Sequence, residues 1–202
     1  MERNQSSSTS LRLVPAAHPA IAAVAPIPSA AVPTATLRIL FGIAWTANAG
    51  LKWFPAFGAG FLGMLTDVSQ GQPAFLRPWF NLVTTVASDG RATFLAAGSA
   101  VLETYLALAL LSGFARKVTY VIGAGYTALI WTTAEGFGGP YVPGVGAAIG
   151  YTLLFVVFLV HDAGVGTSRL TVDSFLERRM PAWRRVAELG SLRPPVNRVS
   201  VP

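Results

Sequence analysis

The sequence predicts an all-α integral membrane protein: a four-transmembrane-helix bundle, both termini cytoplasmic, with short interfacial helices in the first outer loop. Three observations predict it. The chain is 52% apolar and only 12% charged, which places it with membrane proteins. Ala92 to Ala115 carries a single charge, Glu103, over a stretch long enough to cross about 30 Å of hydrocarbon at 1.5 Å per residue. The 15 Lys and Arg residues are also unevenly placed. Lys52, Arg77 and Arg91 lie on one side of the implied topology and all the others on the opposite side, which is then cytoplasmic.

The elements follow in order. Residues 1–35 are rich in Ala, Ser and Pro, with Pro15, Pro19, Pro26, Pro28 and Pro33. These prolines prevent a regular helix and interrupt any signal-peptide core, so the stretch reads as a disordered tail. Residues 36–161 form the membrane domain. Its first helix runs from about Thr36 to Phe54, with Arg38 and Lys52 snorkelling to opposite interfaces. Arg38, Trp45 and Lys52 are spaced by seven and Asn48 follows Trp45 by three, so the four share one side. Pro55 to Asp89 is too polar to span. Phe57, Phe61, Met64, Leu65 and Val68 keep helical spacing, as do Trp79, Leu82, Val83 and Val86. Two short surface helices with a Gly71-Gln72-Pro73 turn fit this pattern.

The second span is the Glu103 stretch, closed by Gly113 and anchored by Arg116-Lys117. The third runs from about Val118 to Ala134. The Glu135-to-Gly144 segment has too much Gly and Pro for a helix. The fourth runs from about Val145 to Val160 and opens on a small-residue pattern. Residues 162–202 form a basic tail. Val172 to Arg185 reads as an amphipathic helix on anionic lipid, broken at Pro181, and the residues from Pro194 onward as disordered. No cysteine is present, so disulfide and thiol chemistry are excluded within the chain. The net charge of +6 is split among membrane flanks, which argues against a nucleic-acid partner.

A carboxyl group at mid-membrane is costly and faces the bundle interior with a partner. Depth along the helices places Lys52, Arg91 and Glu135 near the outer face, with Asn48 one turn deeper and Glu103 near the middle. The expected pocket opens outward and is lined by Asn48, Lys52, Glu103 and Glu135 with Trp45 and Trp131. Glu103, Lys52 and Glu135 are the candidate catalytic residues. Asn48, Arg91, Trp45 and Trp131 are the candidate substrate-binding residues. A buried carboxyl that exchanges a proton suits quinone chemistry or proton transfer. The same residues also serve packing, an interfacial ion pair or an aromatic belt. His18 and His161 are badly placed for haem ligation, so no bound cofactor is expected and no metal site is assigned.

Three stretches resemble the DoxX/DoxD-like family: Arg38 to Trp45 leading to Lys52, Glu103 to Leu108 through Arg116, and Glu135-Gly136-Phe137-Gly138-Gly139-Pro140-Tyr141 with Pro143-Gly144. The resemblance covers about Thr36 to His161 and neither tail. It implies a four-helix subunit in the cell membrane, similar to the membrane subunit of thiosulfate:quinone oxidoreductase. It further implies thiosulfate as electron donor, membrane quinone as acceptor and a small second subunit of the DoxA-like kind. Val145-Gly146 stand where the family pattern carries an acidic residue, which weighs against thiosulfate. Two functional readings follow. One is a quinone-linked oxidoreductase subunit, in which Lys52 and Arg91 attract an anion. The other is a non-enzymatic scaffold for a partner oxidoreductase. A transporter ranks third and would need a homo-oligomer.

Overall fold

The computed structural model describes residues 31–138, 146–165 and 171–187. The expected N-terminal tail before residue 31, the Gly-Pro loop at 139–145 and the far tail at 188–202 lie outside the described residues. Those described are all-α. The helices are α1 (Ala31–Lys52), α2 (Pro55–Ser69), α3 (Arg77–Ala87), α4 (Arg91–Ser112), α5 (Arg116–Thr132), α6 (Ala147–Val165), α7 (Val172–Arg179) and α8 (Arg184–Ala187). Single 3-10 turns occupy Gly136–Gly138 and Pro181–Trp183.

The long helices pack as two antiparallel pairs, α1 with α4 and α5 with α6. Asn48 meets Glu103 while Arg38 meets Gly113, so α1 and α4 run in opposite directions. Glu135 meets Ala148 while Arg116 meets Asp162, which gives the same sense for the second pair. Small side chains permit these approaches. Ala96, Ala100 and Ala107 are buried along α4, spaced so as to share one face. On α5, Gly123 lies so close to Phe155 that an added Cβ would strike the ring.

The pairs meet in an aromatic core. Phe41 and Trp45 of α1 lie edge-on to Phe155 of α6, at 5.2 and 5.7 Å between ring centroids. Tyr120 stacks on Phe158 at 5.4 Å. Each such pair contributes about 0.5–1.5 kcal/mol beyond its buried area. The opposite faces of all four helices are apolar too. Leu40 and Ile43, Val101 and Leu108, Val121 and Leu129, and Leu153 and Val157 are each more than half exposed. Of the described helices, only α4 is both long and apolar enough to cross a membrane; the apolar part of α6 is shorter.

Several boundaries differ from the sequence reading. α1 begins at Ala31, with Pro33 in its first turn, where the missing N–H costs nothing. α6 runs on past His161 because Asp162 pairs with Arg116 at 3.2 Å. Arg38 does not snorkel: it is 3% exposed, packed over Gly113, whose φ of +66° closes α4.

The C-terminal segment, expected on lipid, also carries a buried contact with the α4–α5 junction. Asp173 of α7 is fully buried. Its Oδ1 accepts from the Ala115 amide at 2.7 Å and from Trp183 Nε1 at 2.9 Å. Its Oδ2 accepts from the Arg116 amide at 3.0 Å and from Arg116 Nε at 3.1 Å. The carboxylate thus caps α5, satisfying amides that the helix start leaves open. Ala115 holds a φ of +44° there, an unfavourable conformation for a residue with a Cβ.

Candidate functional site

Glu103 sits on the inward face of α4, in the Ala96-Ala100-Glu103-Ala107 row that packs against α1. It is fully buried, so each carboxylate oxygen needs a partner. Asn48, one turn before the end of α1, donates to Oε2 at 2.9 Å. Tyr126 of α5 donates to Oε1 at 2.8 Å. Lys52, the last residue of α1, brings Nζ to 3.6 Å from Oε1, and the same ammonium lies 4.2 Å from the centroid of the Phe57 ring. Ser99, one turn before Glu103, bonds the Tyr126 hydroxyl. Two helices, α1 and α5, therefore deliver an ammonium, an amide and a phenol to one buried carboxylate on α4.

Lys52, Ser99 and Tyr126 of this cluster line a cavity of about 520 Å³, within the usual size of small-molecule sites. α2 and α3 cover the cavity, and α4 and α5 back it. Its walls are apolar and aromatic, including Phe61, Met64, Trp79 and Leu102. Lys52, Ser99 and Tyr126 line its polar end, and Lys52 is its one charged lining residue. α3 is held over the cavity by Trp79, whose Nε1 donates to the Thr132 carbonyl at 2.8 Å. Such a site seats an apolar body, orients a carbonyl or hydroxyl against hydrogen-bond donors, and keeps an acid and an ammonium close to it.

Of the residues picked from sequence, the structure brings together Asn48, Lys52 and Glu103, but not the others. Glu135 turns away to α6, accepting from the Ala148 amide at 3.0 and 3.2 Å. It caps that helix where its carboxylate also faces the positive end of the helix dipole. Arg91 is exposed and pairs with Asp89 at 3.2 Å. Trp45 belongs to the aromatic core, 2% exposed. Trp131 packs edge-on against Phe137 at 5.3 Å. The expected outer cluster of Lys52, Arg91 and Glu135 does not form: Lys52 reaches inward to Glu103, the buried charge that most needs a cation.

Ser99 and Tyr126 escaped the sequence reading. Ser99 carried a usable signal, being one turn from Glu103 on the same face. Tyr126 carried a weaker one, a hydroxyl in an apolar run that needs a partner. Among the described residues no group of three His, Asp or Glu side chains converges to hold a metal ion. Comparison of the chain with models of known families, with curated proteins and with solved structures finds no match.

Proposed function

We propose that the protein is an integral subunit of a quinone-linked oxidoreductase in the cell membrane, with α1, α4, α5 and α6 as its four spans. The observation that carries this reading is the Glu103–Lys52–Tyr126 cluster, whose Lys52 and Tyr126 line an apolar cavity. The exposed apolar side chains on every long helix support a lipid setting. With α2 and α3 on the outer face, both termini are cytoplasmic, as the distribution of basic residues requires.

In this reading a quinone ring enters the cavity and one carbonyl oxygen accepts from the Lys52 ammonium, while the single Tyr126 O–H stays on Glu103 Oε1. Reduction to quinol adds two electrons and two protons to the ring oxygens. Lys52 and Glu103 stand where those protons must pass, and a positioned acid–base pair contributes about 10²–10⁴-fold. The resemblance to the DoxX/DoxD-like family supplies the donor. Two thiosulfate ions release two electrons as one sulfur–sulfur bond joins them into tetrathionate, with a small DoxA-like subunit as partner. Arg91 is engaged with Asp89 and so contributes less to attracting an anion than its position in the sequence implies.

A scaffold for a partner oxidoreductase is the second reading. It is favoured by Phe75, 80% exposed ahead of α3, a surface that a partner would cover. The test is thiosulfate-dependent quinone reduction by the protein purified in lipid nanodiscs, with Lys52→Met and Tyr126→Phe beside it. Turnover that both substitutions abolish at normal abundance supports the oxidoreductase. Wild-type protein that binds quinone but turns over only with a co-purified subunit assigns the donor chemistry to that subunit. No quinone binding at all sinks the proposal and leaves the scaffold.

A further inference from the structure

The cavity has two unlike ends. Opposite the polar cluster, Phe94 of α4 and Leu82 of α3 both line the cavity, yet they are 80% and 55% exposed. Val86, Leu95 and, on α5, Leu129 line it beside them and are exposed as well. A side chain that both borders a cavity and meets the outside marks its mouth. This mouth is apolar on the α3, α4 and α5 sides. Phe94 precedes Ser99 by five residues, so the mouth lies about 7–8 Å along α4 from the polar end, toward the outer face. The Trp79 bond ties the start of α3 to the end of α5, and the exposed rim runs from α3 across α4 to Leu129 of α5.

A hydrated ion gains nothing from these apolar side chains and loses its water on passing them. A hydrocarbon chain, by contrast, passes them without that penalty. We infer that this opening, bordered by α3, α4 and α5, is a lateral portal to the lipid, and that the ligand is a ring-bearing molecule whose long apolar tail stays in it. The inference rests on the quinone reading and adds to it a route and a determinant of specificity. The head group is read by Lys52, Ser99 and Tyr126, and the tail by Leu82, Val86, Phe94 and Leu95. A water-soluble anionic donor is excluded from this route and must act from elsewhere.

The experiment compares two probes in nanodiscs: a benzoquinone with no tail and the same ring bearing a long isoprenoid tail. Binding is read by tryptophan quenching in wild type, Leu82→Asp and Phe94→Asp. Both positions are exposed, so neither substitution removes core packing. The expected result is that the Asp variants weaken the tailed quinone tenfold or more and change the tail-less one less than twofold. Equal losses for both probes, or no loss for either, overturn the portal while leaving the quinone site intact. Wild-type protein that binds neither probe overturns the site and the portal together. A second measurement does not rely on introduced charge. The chain has no cysteine, so Phe94→Cys carries the sole thiol, and its labelling by a lipid-soluble maleimide should be slowed by the tailed quinone and not by the tail-less one. Labelling that neither slows counts against the portal.

Discussion

Replacing Glu103 with Gln separates chemistry from stability at the centre of this protein. The amide oxygen takes the place of Oε1, opposite Tyr126 and Lys52, and the NH₂ takes the place of Oε2, opposite Asn48. Asn48 then turns its own amide so that its oxygen accepts, and the bonds to Asn48 and Tyr126 both persist. What is lost is the attraction to Lys52. Two unit charges about 4 Å apart attract by roughly 4 kcal/mol at an effective dielectric constant of about 20, and relief of carboxylate burial offsets most of that. Lys52 keeps 21% of its side chain exposed and can turn outward. The net cost is about 1–2 kcal/mol, or roughly 2–8 °C in melting temperature for a chain of this size. Glu103→Ala strands Asn48, Tyr126 and Lys52 together and costs about 3–5 kcal/mol. The predicted pattern for Glu103→Gln is normal abundance, a small drop in melting temperature and a fall in quinone reduction of about 100-fold or more. Thermal unfolding and turnover in nanodiscs read both quantities on one sample. A Gln variant that keeps more than about a tenth of wild-type turnover would refute the assignment of proton handling to Glu103. One as unstable as the Ala variant would refute the amide exchange with Asn48.

Other substitutions test other parts of the argument. Asp173→Asn leaves an NH₂ facing two N–H donors whichever way the amide turns. It should cost about 3–5 kcal/mol and expose Arg178 and Arg179 to trypsin; an unchanged digestion pattern and melting curve would show that the cap is not needed. Glu135→Ala removes the cap of α6, with an expected loss of about 1 kcal/mol and little change in turnover. A stable Glu135→Gln protein without activity would return Glu135 to the chemistry. Gly123→Val drives a branched side chain into Phe155 and should cost about 1–3 kcal/mol in thermal unfolding; a neutral result would mean that α5 and α6 can separate without penalty.

Much of the helical layout could be read from the chain because its causes are local. Helical spacing of Phe57, Phe61, Met64 and Leu65 marked α2, and the lone charge in an apolar run marked Glu103 as buried. Depth places Asn48 and Glu103 in one pocket, Asn48 one turn below Lys52 and Glu103 near the middle, but does not give the hydrogen bond between them. Glu135 was misplaced because depth gives height and not azimuth: it shares a level with Lys52 but faces α6. Trp45 was misplaced for the same reason, its face of α1 being shared between the cavity side and the aromatic core. Asp173 could not be read at all. Its acid stands in a basic, amphipathic stretch where solvation is the ordinary expectation, and its partners at Ala115 and Arg116 lie 58 and 57 residues away in sequence.

That separation also orders the protein's birth. α5 leaves the ribosome with its first amides open, and the carboxylate that closes them is made only after α6. Until then Ala115 has nothing to hold its unfavourable backbone angle, and the junction of α4 and α5 has no clamp. A chain halted before Asp173 would carry every long helix and the whole cavity and still lack the bond that locks them. Asp173 thus closes the α4–α5 junction only after both helix pairs have been made.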